Sequence, residues 1–422
     1  MIQAIGIDFG TTNSVVALRH DDGRVTTLRH GTSDVFRTVL CFWAEQTRGR
    51  LDLHHRAGPA AIEAYLEDPL DSRLIMSMKT YLAQKSFTET NVFGRMFTLE
   101  ALVATFLRAL LADLPAAADA GTPAGSRAGA PAPRIVVGRP VRFAGEFADD
   151  AFGAGRLAAA CAEAGLPDVT LMQEPAAAGA RFAATLNEPA TVLIGDFGGG
   201  TSDFSLLRFD PAAGVTPLGH AGIGIAGDVF DFRIIDHAIS PLLGRDDSYR
   251  VMGKQMPIPA EFFAGFARWH RLSMMRAPRT LRAIDEVART ATHPERLRHL
   301  LALIEHGAGY ALYQAVSGAK AALSSAEETV LRFRHQEFVV ERRVARAEFE
   351  AWIAPDLARM GATIDQALAD AGLPPAAVDR VFLTGGTAFV PAVRKLFADR
   401  FGAERLVGGG EFVSVAEGLA RG

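Results

Sequence analysis

Cysteine is almost missing from this chain: Cys41 and Cys161 are the only two among 422 residues. Both have apolar neighbours, so they read as small buried hydrophobes, with one long-range disulfide as the alternative. No uninterrupted apolar run approaches the roughly 20 residues of a membrane-spanning helix. The start, Met1-Ile-Gln-Ala-Ile-Gly-Ile-Asp8, has no basic segment and enters a strand pattern at once, so no signal peptide is expected. A basic excess is missing too. The formal net charge is −4, whereas a nucleic-acid surface normally carries clustered positive charge. A cytoplasmic protein that binds neither membrane nor nucleic acid is the expectation. Finally, there is no Gly-x-x-x-x-Gly-Lys-[Ser/Thr] run, which excludes a P-loop.

What is present is a large apolar content. With 49% hydrophobic and 22% charged residues over this length, the chain exceeds one ordinary compact domain, and two packed lobes are expected. Residues 2–7 are β-friendly, Gly10–Asn13 is a turn, and Ser14–Leu18 is β-friendly again, which predicts a hairpin. The design repeats near the middle of the chain. Thr191–Asp196 leads into Phe197-Gly-Gly-Gly-Thr201, and Ser202–Phe209 follows. We read this as internal duplication, giving two α/β lobes whose glycine turns face a shared cleft. A dinucleotide fold is disfavoured, because these glycines join two strands and do not open a helix.

Other stretches fill in the frame. Residues 99–112 and 156–164 have helical spacing, with Gly165 suited to a C-terminal cap. Residues 115–133 are Ala, Gly and Pro with almost no large apolar side chain and read as a flexible insert. Arg134–Pro140 is a short buried strand. Residues 260–325 are helical in pattern and are expected to form a lid on the second lobe. Val381–Thr387 is a strand running into glycines, followed by a helix at Ala392–Asp399 and a terminal helix at Ser414–Arg421.

The chemistry sits in the two turns. In Asp8-Phe-Gly-Thr-Thr-Asn-Ser14, Gly10 lets the backbone bend toward a ligand. Thr11 and Thr12 add hydroxyls beside the turn amides, and Asn13 completes the turn, a set that suits phosphate oxygens. Asp8 is placed to hold Mg²⁺ through water. In Asp196-Phe-Gly-Gly-Gly-Thr-Ser-Asp203, three glycines weaken a strand-flanked turn, a loss expected where a ligand must come close. One such turn alone also suits an ordinary hairpin; the pair points to a phosphate clamp.

Here the chain resembles the actin, sugar-kinase and DnaK superfamily, and within it the seventy-kilodalton heat-shock (DnaK-type) family in a YegD-like branch. Gln173-Glu-Pro-Ala-Ala-Ala-Gly179 is similar to that superfamily's connecting motif, and Val381–Pro391 to its adenosine motif. Gly222–Asp231 is similar to the DnaK-type segment leading into the lid, Lys320-Ala-Ala-Leu-Ser324 to the adenosine-contacting helix, and Ser77–Leu82 to the segment of the catalytic lysine. The resemblance runs from residue 2 to about 420. It implies an actin-like α/β ATPase fold of two ribonuclease-H-like lobes: residues 1–185, then 186–380 with a lid over about 232–330, and residues 381–422 returning to the first lobe.

It also implies Mg²⁺-dependent, slow hydrolysis of ATP, with ATP or ADP in the cleft. Lys79 would neutralise the γ-phosphate and Glu174 would place the attacking water. Thr201 with Gly198, Gly199 and Gly200 would close over the phosphates, and Asp8 and Asp196 would orient Mg²⁺. Gly227, Lys320, Ser324, Gly385 and Gly386 would hold the adenosine. Phe389 stands where the family usually has an arginine on the adenine, while Ser317 and Ala321 replace an acidic and a basic residue. On residue type alone, Lys79 also suits an exposed helical lysine, Glu174 a helix N-terminal carboxylate, and Gly385-Gly386 a helix-entry turn. The family continues into a linker and a peptide-gripping sandwich. This chain stops where that linker begins, so the expectation is a monomeric chaperone homologue without a peptide-binding domain, acting on a partner protein through lobe closure. The segment Val141–Asp150 is the suggested partner contact. A filament-forming relative of the MreB kind is the alternative, which light scattering on adding ATP separates. A small-molecule kinase is a third reading, and the sequence shows no obvious sugar-binding cluster for it.

Overall fold

The computed structural model describes all residues except 48–49, 69–70, 116–131, 144–147, 184–187, 211–213, 268–274 and 408–413. The insert read at 115–133 and part of Val141–Asp150 therefore lie outside the described residues. The chain divides into two compact units. The first comprises residues 1–64, 74–227 and 357–422, and the second residues 65–73 and 228–356.

The first unit holds two mixed sheets of the same design. In one, Ile2–Phe9, Asn13–His20 and Val25–Thr27 form an antiparallel meander. Arg134–Arg139 and Val169–Gln173 add in parallel on the far side of Ile2–Phe9. In the other, Ala190–Phe197, Ser202–Asp210 and Gly214–Ile223 form the meander. Arg380–Thr384 and Leu406–Val407 add in parallel beside Ala190–Phe197. Numbered within each half, both sheets run 3-2-1-4-5. The internal duplication read from the two glycine turns thus extends to strand order and direction. This α/β architecture is of the actin-like ATPase type.

Local chemistry sets the helices. Leu99–Leu110 buries Leu99, Leu102, Val103, Phe106, Leu107 and Leu110, the stripe visible in the sequence, and Thr98 Oγ1 caps it by accepting from Ala101 N at 3.1 Å. The second expected helix begins earlier than its apolar spacing suggested, at Asp150, because Asp149 caps it through Phe152 N. It ends at Gly165 (φ 96°), where Gly165 N donates to Ala162 O and Leu166 N to Cys161 O. That pair of bonds satisfies the carbonyls of the last turn. The terminal helix Ser414–Arg421 packs on the first sheet. Its Val415 and Leu419 share a core with Val136, Ala177, Ile194 and Phe382, which joins the two sheets. Cys41 and Cys161 are buried and unbridged.

Four β features were not foreseen. Val39–Thr47, Arg50–Ala57 and Ser72–Met76 form a small sheet, and Glu89–Val92 pairs with Arg95–Thr98. In the second unit, Ser248–Val251 pairs with Lys254–Pro257, and Glu328–His335 with Phe338–Ala345. The rest of that unit is helical as expected, with Ala260–Phe266, Pro278–Ala288, Pro294–Glu305 and Gly309–Leu323. Two of these start on a proline, whose fixed φ and missing N–H suit the first helical position. The helix Arg346–Asp370 contains Pro355, and the division between units falls one residue later, at Asp356–Leu357. Among the described residues no helix is long and apolar enough to cross a membrane.

Candidate functional site

Both glycine turns lie in the first unit. Phe9 pairs with Ser14 across the first turn and Phe197 with Ser202 across the second. A side chain at Gly10 would overlap the carbonyl oxygen of Asn13, so only glycine fits. Gly198 N donates to Thr201 O at 2.9 Å, which tightens the second turn. A methyl built on Gly200 would sit 3.7 Å from Thr11 Cγ2 and 3.7 Å from Thr80 Oγ1. The two turns therefore face each other, and the segment carrying Lys79 joins them there.

Lys79 is not an exposed lysine. It lies on the 3₁₀ turn Met78–Tyr81, only 7% exposed, and its Nζ donates to Glu174 Oε1 at 2.5 Å. Glu174 is the first residue of the helix Glu174–Ala183 and 5% exposed, so it is both a helix N-terminal carboxylate and the lysine's partner. Its space depends on Gly138, where an added methyl would come within 3.0 Å of Glu174 Cγ. Ser77, which precedes the lysine turn, holds a left-handed backbone (φ 52°). Such a conformation costs a non-glycine residue on the order of 1–3 kcal/mol and clusters at functional sites.

The electrostatics are lopsided. Burial, then Glu174, push Asp8 up to about 7, while Lys79 pulls the other way. Burial, Glu174, Asp8 and Asp203 raise Asp196 well above its ordinary value. Asp203, which the sequence reading quoted but gave no role, is also pushed up to about 7, by burial first and then Glu174. Burial opposes the Lys79 ammonium, yet Glu174, Asp8 and Asp196 outweigh it and leave its pKa raised. One ammonium thus faces four carboxylates. Two buried hydroxyl oxygens nearby, Thr12 Oγ1 and Ser77 Oγ, have no hydrogen-bond partner. An unsatisfied buried polar atom is costly and calls for an explanation such as a ligand.

This donor set fits Mg²⁺. Among the described residues no three His, Cys, Asp or Glu side chains converge as a direct cage. Magnesium does not need one, since it keeps several waters and takes one or two carboxylates. The excess negative charge fits the same ion.

The remaining candidates divide. Asn13 is engaged structurally: its Oδ1 accepts from Arg37 Nη1 at 3.0 Å. Thr384 pairs in register with Asp196, so the adenosine-motif strand ends beside the second turn. Gly385 follows at φ 88°, where a side chain would overlap the carbonyl oxygen of Phe197. It is a tight packing glycine as well as a helix-entry turn. Gly385→Ala is expected to lower stability by about 2 kcal/mol or more, combining left-handed strain with the overlap; chemical denaturation checks this. Gly386–Phe389 is a 3₁₀ turn on which Phe389 is 47% exposed. Gly227 opens the helix Gly227–Ile234 at the unit boundary. Lys320 and Ser324 belong to the second unit, at the end of Gly309–Leu323, where Lys320 Nζ donates to Asp231 Oδ2 at 2.9 Å.

The Hsp70 protein family matches residues 305–420. Chaperone protein DnaK of Thermus thermophilus is 26% identical over 435 residues, covering 100% of this chain and 61% of that protein. Chaperone protein DnaK of Deinococcus radiodurans is 23% identical over 421 residues, covering 95% and 56%. The chain spans about three-fifths of the length of these relatives. The chain is similar to the DnaK-type Hsp70 proteins, over the part that corresponds to their nucleotide-binding domain.

Proposed function

We propose that the chain binds Mg²⁺-ATP at the paired glycine turns and hydrolyses it. The observation that carries this is the buried Lys79–Glu174 pair, 2.5 Å apart, beside two glycine turns that face each other. Asp8 and Asp196 would hold Mg²⁺ through its water shell, and the ion would supply neutralising charge to the phosphate oxygens. Thr11 and the turn amides bind phosphate, and the partnerless Thr12 Oγ1 gains an acceptor there. Lys79 lends its ammonium to the γ-phosphate, and Glu174 orients the attacking water. As the water oxygen bonds to phosphorus, the bond to the β-phosphate bridge breaks and ADP leaves. Positioning and fixed charge carry nearly all of such a reaction.

Gly227, Gly385, Gly386 and Phe389 are the proposed adenosine contacts of the first unit, and Lys320 and Ser324 carry the same expected role in the second. The proposal includes the lobe boundaries given above, a cytoplasmic monomer of the YegD-like branch, and a DnaK-like action on a partner protein through lobe closure.

The test is nucleotide binding and phosphate release with and without Mg²⁺. Saturable ATP binding that is lost on chelation, with slow phosphate release, is expected. Binding unaffected by chelation would contradict the reading, because the four carboxylates repel a bare polyphosphate. For the base, Phe389→Ala is expected to weaken ATP binding by about 0.5–1.5 kcal/mol beyond lost area, the size of an aromatic stacking term. Calorimetric titration checks it.

A further inference from the structure

In the second unit, two imidazoles meet. His306 caps the C-terminal end of the helix Pro294–Glu305, and His335 ends the strand Glu328–His335. His306 Nδ1 lies 3.2 Å from His335 Nε2, and the side-chain amide of Gln336 lies 3.0 Å from the same Nδ1. Hydrogen bonding among these groups cannot pair all three at once, and because the contacts are exposed, water meets whichever is left over. A ring nitrogen offers one in-plane site, either a lone pair or an N–H. As a lone pair, His306 Nδ1 accepts from His335 or from Gln336, and the other donor meets an occupied site. As an N–H it donates to His335 or, with the amide turned over, to Gln336 oxygen, and the other acceptor is left over.

A divalent cation uses both imidazole lone pairs and, with the amide turned over from its Nε2 contact, the Gln336 oxygen at once. Tetrahedral Zn²⁺ with Zn–N bonds of about 2.0–2.1 Å sets its ligand nitrogens roughly 3.3 Å apart; here they stand 3.2 Å apart. We propose that His306 Nδ1, His335 Nε2 and the Gln336 amide oxygen bind one Zn²⁺, with a fourth position open to water. Gln336 takes a left-handed backbone (φ 52°) at the hairpin turn, and this aims its amide at His306. Only Gly307 and Ala308 separate His306 from the helix Gly309–Leu323 that carries Lys320. The ion would therefore tie that helix junction to the turn of the Glu328–Ala345 hairpin. This site stands independently of the nucleotide reading.

The test uses tag-free, chelator-stripped full chain in excess Mg²⁺, so that the carboxylate cluster is occupied, titrated with Zn²⁺ by calorimetry. One tight equivalent is expected. His306→Ala and His335→Ala should each weaken it at least roughly tenfold, the low end even for loss of a supporting partner, while His54→Ala leaves it unchanged. Imidazole nitrogen NMR of the wild-type chain needs no variant to fold. Zn²⁺ should shift two of its 11 histidines. Zn²⁺ binding that is unchanged in both variants, that excess Mg²⁺ abolishes, or that moves no histidine pair would overturn the assignment.

Discussion

Lys79→Ala is expected to lower ATP turnover by about 10²–10³-fold, the range for removing one fixed charge or donor at a transition state, while changing ATP affinity far less. The ammonium faces charge that grows as the γ-phosphate departs, so its contribution is larger in the transition state than in the bound ground state. The substitution also takes the one cation from four buried carboxylates. Breaking a buried pair costs on the order of 3–5 kcal/mol, so the variant is to be compared with wild type under saturating Mg²⁺-ADP. The double variant Lys79→Ala with Glu174→Gln separates the two effects, since it restores much of the stability and none of the turnover. Single-turnover kinetics beside thermal melts reads both. Equal turnover in wild type and Lys79→Ala would remove Lys79 from the chemistry.

The nucleotide-free protein should lose stability as the pH rises from about 6 to 8. Asp8 and Asp203 have folded-state values of about 7, against an ordinary value of 3.8. Between those values the folded chain holds protons that the unfolded chain has released, so stability falls with rising pH. Each such proton contributes a slope of about 1.4 kcal/mol per pH unit, and the slope fades above the folded value. Mg²⁺-ADP should flatten the profile, because the ion stabilises the deprotonated carboxylates. Asp8→Asn should raise the melting temperature of the nucleotide-free protein at pH 8 and weaken Mg²⁺-dependent binding, a stability gain at the expense of function. Melting curves at a series of pH values, with and without Mg²⁺-ADP, measure both effects. Because His55, His237 and His335 are held below their ordinary value and tilt the profile the other way near pH 6, the contrary result is a pH profile that Asp8→Asn leaves unchanged.

The two hairpins and their glycine turns were legible because they join two strong local signals, a β-friendly run and a turn residue set. The duplication followed from them. The helices within residues 260–325 were legible from their helical spacing. The Glu328–Ala345 hairpin was not. Its buried Leu331 and Phe333 alternate with arginines over too short a span to stand out within a charged stretch. The Ser248–Pro257 hairpin turns at Met252 and Gly253, both at positive φ, and methionine gives no such signal. Within the site, Asp8 and Asp196 announced themselves beside their glycines. Lys79 rested on resemblance, because nothing local reveals that Ser77 turns it inward. Gly138 gave no sign at all: its need for a missing side chain arises from Glu174, far away in sequence. Asp203 was in view as the last letter of the second motif, but its burial beside Gly222 is a tertiary fact.

The most direct test of the central claim is a crystal structure of the chain with Mg²⁺ and a non-hydrolysable ATP analogue. The account predicts the β- and γ-phosphates between Gly10–Asn13 and Gly198–Thr201, with the Lys79 ammonium within hydrogen-bond reach of the γ-phosphate and Thr12 Oγ1 newly partnered. Phosphates bound elsewhere, or placed at the turns with Lys79 out of reach, would contradict it.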